Sequence, residues 1–187
     1  MKKLKRFLLF LLIIFVLIFS FRGFLYRSFV SYRTIGERKD VPVENQLLIE
    51  KLNEIQFNSD NPDANEIILK SLKFTSSQLS FTTQRCQINP NFLITKPKTH
   101  CVGYAVFYAN SCNYLFKKYS LQKDWKAIAC KGKLSFLGYD MHNIFKIPFF
   151  KDHDFVIIKN LKSVQTFAVD PSVNDYLFID FVKHKIY

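Results

Sequence analysis

The sequence predicts an α+β fold behind an apolar N-terminal segment. Three observations predict it. Residues 7–21 carry no charge. After them, segments of helical period come first, and runs of strand character come later. Helices followed by strands make an α+β domain with an antiparallel sheet.

The apolar segment Phe7–Phe21 follows Lys2, Lys3, Lys5 and Arg6. A membrane span needs roughly 17–25 residues. Extension through Arg22, Gly23, Phe24, Leu25 and Tyr26 reaches that length, with Arg22 snorkelling to the interface. A cleaved signal peptide starts in the same way. No small-x-small cleavage site follows, because Phe, Arg and Tyr crowd the exit. The expectation is therefore residues 1–26 as a basic cytoplasmic stub and one transmembrane signal anchor. Arg22, Arg27 and Arg33 lie beyond the span and offset the inside-positive bias. The reading places the remaining chain outside the cytoplasm, at the periplasmic or outer face of the cell membrane.

Charge supports a lipid partner over a nucleic acid. Residues 1–39 hold nine Lys/Arg and one Glu, so most of the net +12 lies beside the apolar segment. That arrangement attracts anionic lipid. A nucleic-acid binder would carry its basic face on the folded domain, so no nucleic acid is expected as partner. Oligomeric state is not specified by the sequence.

Residues 27–43 read as a juxtamembrane linker ending at Val41-Pro42-Val43, and residues 44–187 as the domain. Glu44–Gln56 carries Leu48, Leu52 and Ile55 on one face and predicts a short amphipathic helix. Pro62 and the capping-box spacing of Asp63 and Glu66 open a second helix, running to about Ser77. Residues 82–99 are polar coil with Pro90 and Pro97. A helix from Cys101 to about Lys118 is apolar nearly all round, so it should be central and buried. Trp125–Cys130, Leu134–Tyr139, His153–Lys159 and Val164–Asp170 predict strands, and Tyr176–Val182 is a possible fifth.

Cys101 is the first residue of the buried helix, where the positive end of the macrodipole favours a thiolate. His153 opens one predicted strand and Asp170 closes the next. A hairpin centred between Leu161 and Lys162 sets these two directly opposite, on one face, with Cβ atoms roughly 4.5–5.5 Å apart. The register is chosen to join them, so it is a condition that the fold must meet. The carboxylate then grips one imidazole nitrogen and leaves the other for a thiol. Gln84 and Gln87 are equal candidates for a side-chain donor to an oxyanion. His142 is a rival base, but no Asp follows it at hairpin distance. His100 is expected as a neighbour of the site. Asp152 and Asp154 alternate to the other face and should be solvated.

Four cysteines are present. Cys101 and Cys112 lie about 16 Å apart along one helix, and a disulfide tolerates roughly 7 Å between Cα atoms. Cys86 with Cys112 or Cys130 remains open, beside the alternative of unpaired thiols. No Cys-x-x-Cys pair exists, so neither a zinc site nor any other metal or cofactor is expected.

Cys101-Val102-Gly103-Tyr104-Ala105 resembles the nucleophile motif of the transglutaminase-like superfamily, which opens the core helix. His153 followed by Phe-Val-Ile-Ile, two places on, resembles the family's His strand, and Ala168-Val169-Asp170-Pro171 its Asp strand. The likeness covers roughly residues 65–182. His100 stands where Gly-x-Cys is frequent, and Phe155 where Trp is common. The resemblance implies a papain-like core, a Cys101-His153-Asp170 triad and a protein or peptide substrate. It also implies a compact layout close to bacterial transglutaminase-like cysteine proteinases. The superfamily includes cross-linkers, proteases, deamidases and inactive relatives. Hydrolysis of an amide through an acyl-enzyme is the expected reaction, with an inactive binding or scaffold module as the alternative.

Overall fold

The computed structural model describes residues 2–145 and 153–185; Asp152 lies outside them. Two helices open the chain, α1 (Lys2–Ser20) and α2 (Arg22–Phe29), bent by 66° about Phe21. The expected continuous span through Tyr26 is thus broken. No single helix among the described residues is long and apolar enough to cross a membrane, although the bent pair is by length and composition. The break has a polar cause. The Arg22 Nε donates to the Leu177 carbonyl at 2.7 Å and its Nη2 to the Phe178 carbonyl at 3.1 Å. Arg27 donates to the Phe181 carbonyl at 3.3 Å. These bonds dock α2 on the domain.

The chain then enters β1 (Val30–Glu37), where a linker was expected. Its ladder is bulged between Thr34 and Gly36, as suits an edge strand. The sheet order is β1-β4-β6-β7, all neighbours antiparallel. Its strands are β1, β4 (Trp125–Phe136), β6 (His153–Asn160) and β7 (Thr166–Val169). β4 absorbs most of two expected strands. It ends at a two-residue turn, Leu137 and Gly138 with φ of 50° and 88°, that leads to the short β5 (Tyr139–Asp140). Positive φ at both turn positions matches the right-handed twist of a hairpin.

Helices cover one face of the sheet. α3 (Gln46–Asn53) is capped by Asn45, and α4 (Ala64–Gln78) by Asp63, whose carboxylate accepts from the Glu66 N–H at 2.7 Å. The coil after α4 is pinned by β2 (Ser80–Phe81), which pairs in parallel with β3 (Lys98–Thr99), and holds a short α5 (Pro90–Leu93). α6 (Cys101–Lys118) has the expected bounds and is the central buried helix. Gly103 is required there: a Cβ would lie 1.9 Å from Thr99 Oγ1. After β5 comes α7 (Met141–Ile144). The last helix, α8 (Pro171–Leu177), replaces the start of the possible fifth strand. Asp170 caps it and Pro171 sits at its first position, a pairing that starts helices. Beyond it Val182 donates to the Ala168 carbonyl, and Tyr32 to the Lys183 carbonyl.

The sheet is buried on both faces. Ala127, Ala129, Val156, Ile158 and Val169 pack with α6. Tyr32, Cys130, Phe155, Ile157, Ala168 and Val182 form a second core on the other side. All four cysteines are unpaired. Alternation along β6 therefore sends His153 to the second face and Asp154 to the helix face.

Candidate active site

Asp170 joins His153, as expected, but in a different register. The strands pair Val156 with Val169 and Ile157 with Ala168, two residues away from the expected pairing. The cause lies in the turn. The Asn160 side chain accepts from the Lys162 N–H at 2.8 Å and the Ser163 N–H at 3.1 Å, and the Asn160 N–H bonds the Gln165 carbonyl. This Asx turn moves the hairpin centre one residue along. An even shift keeps every side chain on its face. Asp170 therefore reaches His153 diagonally, and the pair survives the error in register.

His153 Nε2 bonds Asp170 Oδ2 directly. A carboxylate only accepts, so Nε2 carries the proton and Nδ1 is the acceptor of the neutral ring. Asp170 is 0% exposed. Its Oδ2 also accepts from Tyr32 Oη at 2.7 Å, and its Oδ1 from Ser172 N, Ser172 Oγ and Val173 N. Burial alone would raise the Asp170 pKa, but the His153 charge and hydrogen bond, then Ser172 and Tyr32, hold it below the usual carboxylate value. Burial alone would lower the His153 pKa, but the charge and bond of Asp170, with Asp154, raise it.

Cys101 starts α6 with its thiol at the same strand end. The backbone N–H groups of Asp154, next to His153, and of Val102 favour the thiolate. The helix start is not the only influence on the thiol. Burial, with the charges of Asp154 and Asp170, pushes it up to about 11 and outweighs those two groups. No hydrogen bond joins the Cys101 thiol to the His153 ring; the structure brings the thiol to the neighbouring peptide. Thiol–base bonds of this kind often tighten only with substrate.

Asp154 is not solvated. Its side chain is 0% exposed and is held by Arg38, Nε to Oδ2 at 2.6 Å and Nη2 to Oδ1 at 3.0 Å. A carboxylate on a core face needs a cation, and alternation alone could have called for one. His100 is the N-cap residue of α6, and burial lowers its pKa despite Asp154. His142, on α7, pairs with Asp140 at the end of β5. Gln84 and Gln87 are both exposed. The Gln87 carbonyl accepts from Thr99 Oγ1 at 3.0 Å, and the Gln84 N–H bonds Thr82. Their loop is therefore tied two residues ahead of Cys101, with neither side chain bonded to the thiol.

Tyr32, Tyr26 and Arg38 were missed because their segment read as anchor and linker. Tyr26 Oη lies 2.6 Å from Tyr32 Oη. Among the described residues no group of three or more His, Cys, Asp or Glu is set to hold a metal ion. Comparison with known proteins finds no matching family model, no matching curated protein and no matching solved structure.

Proposed function

We propose that the chain is a membrane-attached, transglutaminase-like thiol enzyme with a papain-like core, acting on protein or peptide amides. The observation that carries the reading is the His153–Asp170 pair, its carboxylate fully buried, at the strand end where Cys101 begins α6. Asp170 raises the affinity of the imidazole for a proton and fixes its tautomer. As an amide carbonyl approaches, His153 Nδ1 takes the Cys101 proton and the sulfur attacks the carbonyl carbon. The Cys101 N–H, free at the helix start, donates to the oxyanion, and the loop of Gln84 and Gln87 supplies a second donor. The C–N bond breaks as the imidazolium returns its proton to the leaving amine. Water then resolves the acyl-enzyme, with an amine acceptor as the cross-linking variant. Apolar α1, with the basic residues around it, attaches the chain to anionic lipid, with the domain outside the cytoplasm.

A resting thiol pushed up to about 11 favours a second reading, a catalytically inactive fold serving as a binding or scaffold module. One experiment separates the two. Membranes carrying the wild type, Cys101→Ala, His153→Ala or Asp170→Asn are compared by mass spectrometry for new peptide termini, deamidated glutamines and isopeptide links. The enzyme reading expects one product class that all three variants lose. Identical spectra in all four samples would leave the binding module. For topology, a reporter fused after Tyr187 should be active outside the cytoplasm.

A further inference from the structure

The acid of the pair is held from a direction that the triad does not require. Tyr32, on β1, is 1% exposed and donates to Asp170 Oδ2, the oxygen that also binds His153. The Tyr32 proton is thus committed to the carboxylate. The 2.6 Å contact between the phenols then has Tyr26 donating to Tyr32. Tyr26 belongs to α2, which Arg22 and Arg27 dock on the carbonyls of Leu177, Phe178 and Phe181. With Ser172 N, Ser172 Oγ and Val173 N on Oδ1, Asp170 accepts five hydrogen bonds. A carboxylate offers about four lone-pair sites, so its donors compete for its charge.

We propose that Tyr32 and Tyr26 are positioning residues of this site: a two-phenol chain from the juxtamembrane helix draws charge from Asp170 and sets the basicity of the His153 imidazole. The proposal rests on the reading of His153 as the general base. A donor chain polarises along its length, so Tyr26 strengthens Tyr32 as a donor. Burial, then the charge of Asp170 and the hydrogen bond donated to it, keep the Tyr32 phenol far above its usual pKa. Tyr32 therefore stays protonated, and stays a donor, wherever an imidazole titrates. The titratable groups facing the pair are Tyr32 from β1, Tyr26 from α2, Cys101 from α6, and Asp154 from β6 with its partner Arg38. Tyr32 and Tyr26 alone among them reach Asp170 from the N-terminal side of the chain. α2 thereby couples the site to the segment beside the membrane helix.

The ring of Tyr32 also packs, at 5.1 Å from Phe155 and 5.9 Å from His153 between centroids. Phenylalanine keeps that packing and removes only the hydroxyl. The test uses the full chain in detergent micelles with labelled histidine, following the His153 imidazole by NMR titration and assigning it with His153→Gln. Losing the Tyr32 hydroxyl leaves more charge on Oδ2, so Tyr32→Phe should raise the His153 pKa by about 0.5–1 unit. Tyr26→Phe should move it the same way by less. The double variant should match Tyr32→Phe alone, because Tyr26 acts through Tyr32. An unmoved His153 pKa in Tyr32→Phe, or a double variant whose shifts add, overturns the proposal. Tyr26 lies at a less buried position, so its variant decides the matter if Tyr32→Phe does not fold. Failure of the base reading looks different: the pKa shifts appear, yet His153→Ala leaves the reaction products of the membranes unchanged.

Discussion

Arg38→Met leaves a buried carboxylate without its cation. The guanidinium fork sits at 2.6 and 3.0 Å from an Asp154 side chain that is 0% exposed, whereas the Arg38 side chain is 25% exposed. Methionine keeps the stem and removes the fork. Breaking a buried pair by deleting one partner costs about 3–5 kcal/mol. Water reaching the exposed quarter of Arg38 screens part of this, which sets the expectation near the lower end. About 3 kcal/mol corresponds to roughly a hundredfold in the folding equilibrium. The assay is urea unfolding of the full chain in micelles, followed by Trp125, whose indole stacks on Phe167 at 5.9 Å and reports on the sheet. A cycle with Asp154→Leu isolates the pair. The double variant should recover most of the loss, because an apolar pair leaves no charge stranded. A single-variant loss below about 1 kcal/mol, the range of exposed pairs, refutes the reasoning. So does a double variant no more stable than Arg38→Met.

Other outcomes follow from the same geometry. Asp154→Asn removes a negative charge facing Cys101 and should lower its thiol pKa from about 11, read from the pH dependence of iodoacetamide alkylation. The His153–Asp170 pair should stabilise the fold most in mildly acidic solution. The raised His153 pKa contributes fully below the ordinary imidazole value of about 6.5 and is lost as pH rises through the folded value. The depressed Asp170 pKa contributes above the ordinary carboxylate value and is lost as pH falls through its folded value. His153→Gln should therefore cost less stability in alkaline than in mildly acidic urea titrations. Asp170→Ala should unfold more easily than Asp170→Asn by about 1 kcal/mol, since Asn still caps α8. Gly103→Ala must displace Thr99, and a melting temperature equal to wild type would contradict the 1.9 Å approach.

Local signals read well in the sequence where one residue type has one job. Asp63 and Glu66 announced the start of α4, and the all-round apolar run announced α6. The His153–Asp170 contact was legible because parity, not register, decides which face a strand side chain takes. The hairpin centre was missed by one residue because Asn160 forms an Asx turn that periodicity does not register. β1 was missed because an edge strand can carry charges such as Arg33 and Glu37 without losing its partner. Tyr26, Tyr32 and Arg38 went with it. The thiol was read only in part, for a different reason. A helix start is visible in sequence, whereas the burial of Cys101 and the two carboxylates around it come only from packing.

Asp170 is employed twice. One oxygen meets His153 and Tyr32, while the other ties down the first turn of α8. A chain that had lost its chemistry would still gain from an aspartate here, because the helix start needs it. The presence of this acid in a related sequence is therefore a poor sign of activity. His153 likewise holds Asp170 and packs on Tyr32, whereas Cys101, half-buried at the start of α6, gains little from being a thiol. The sulfur, rather than the carboxylate, is the group whose loss would tell a working enzyme from a retired one.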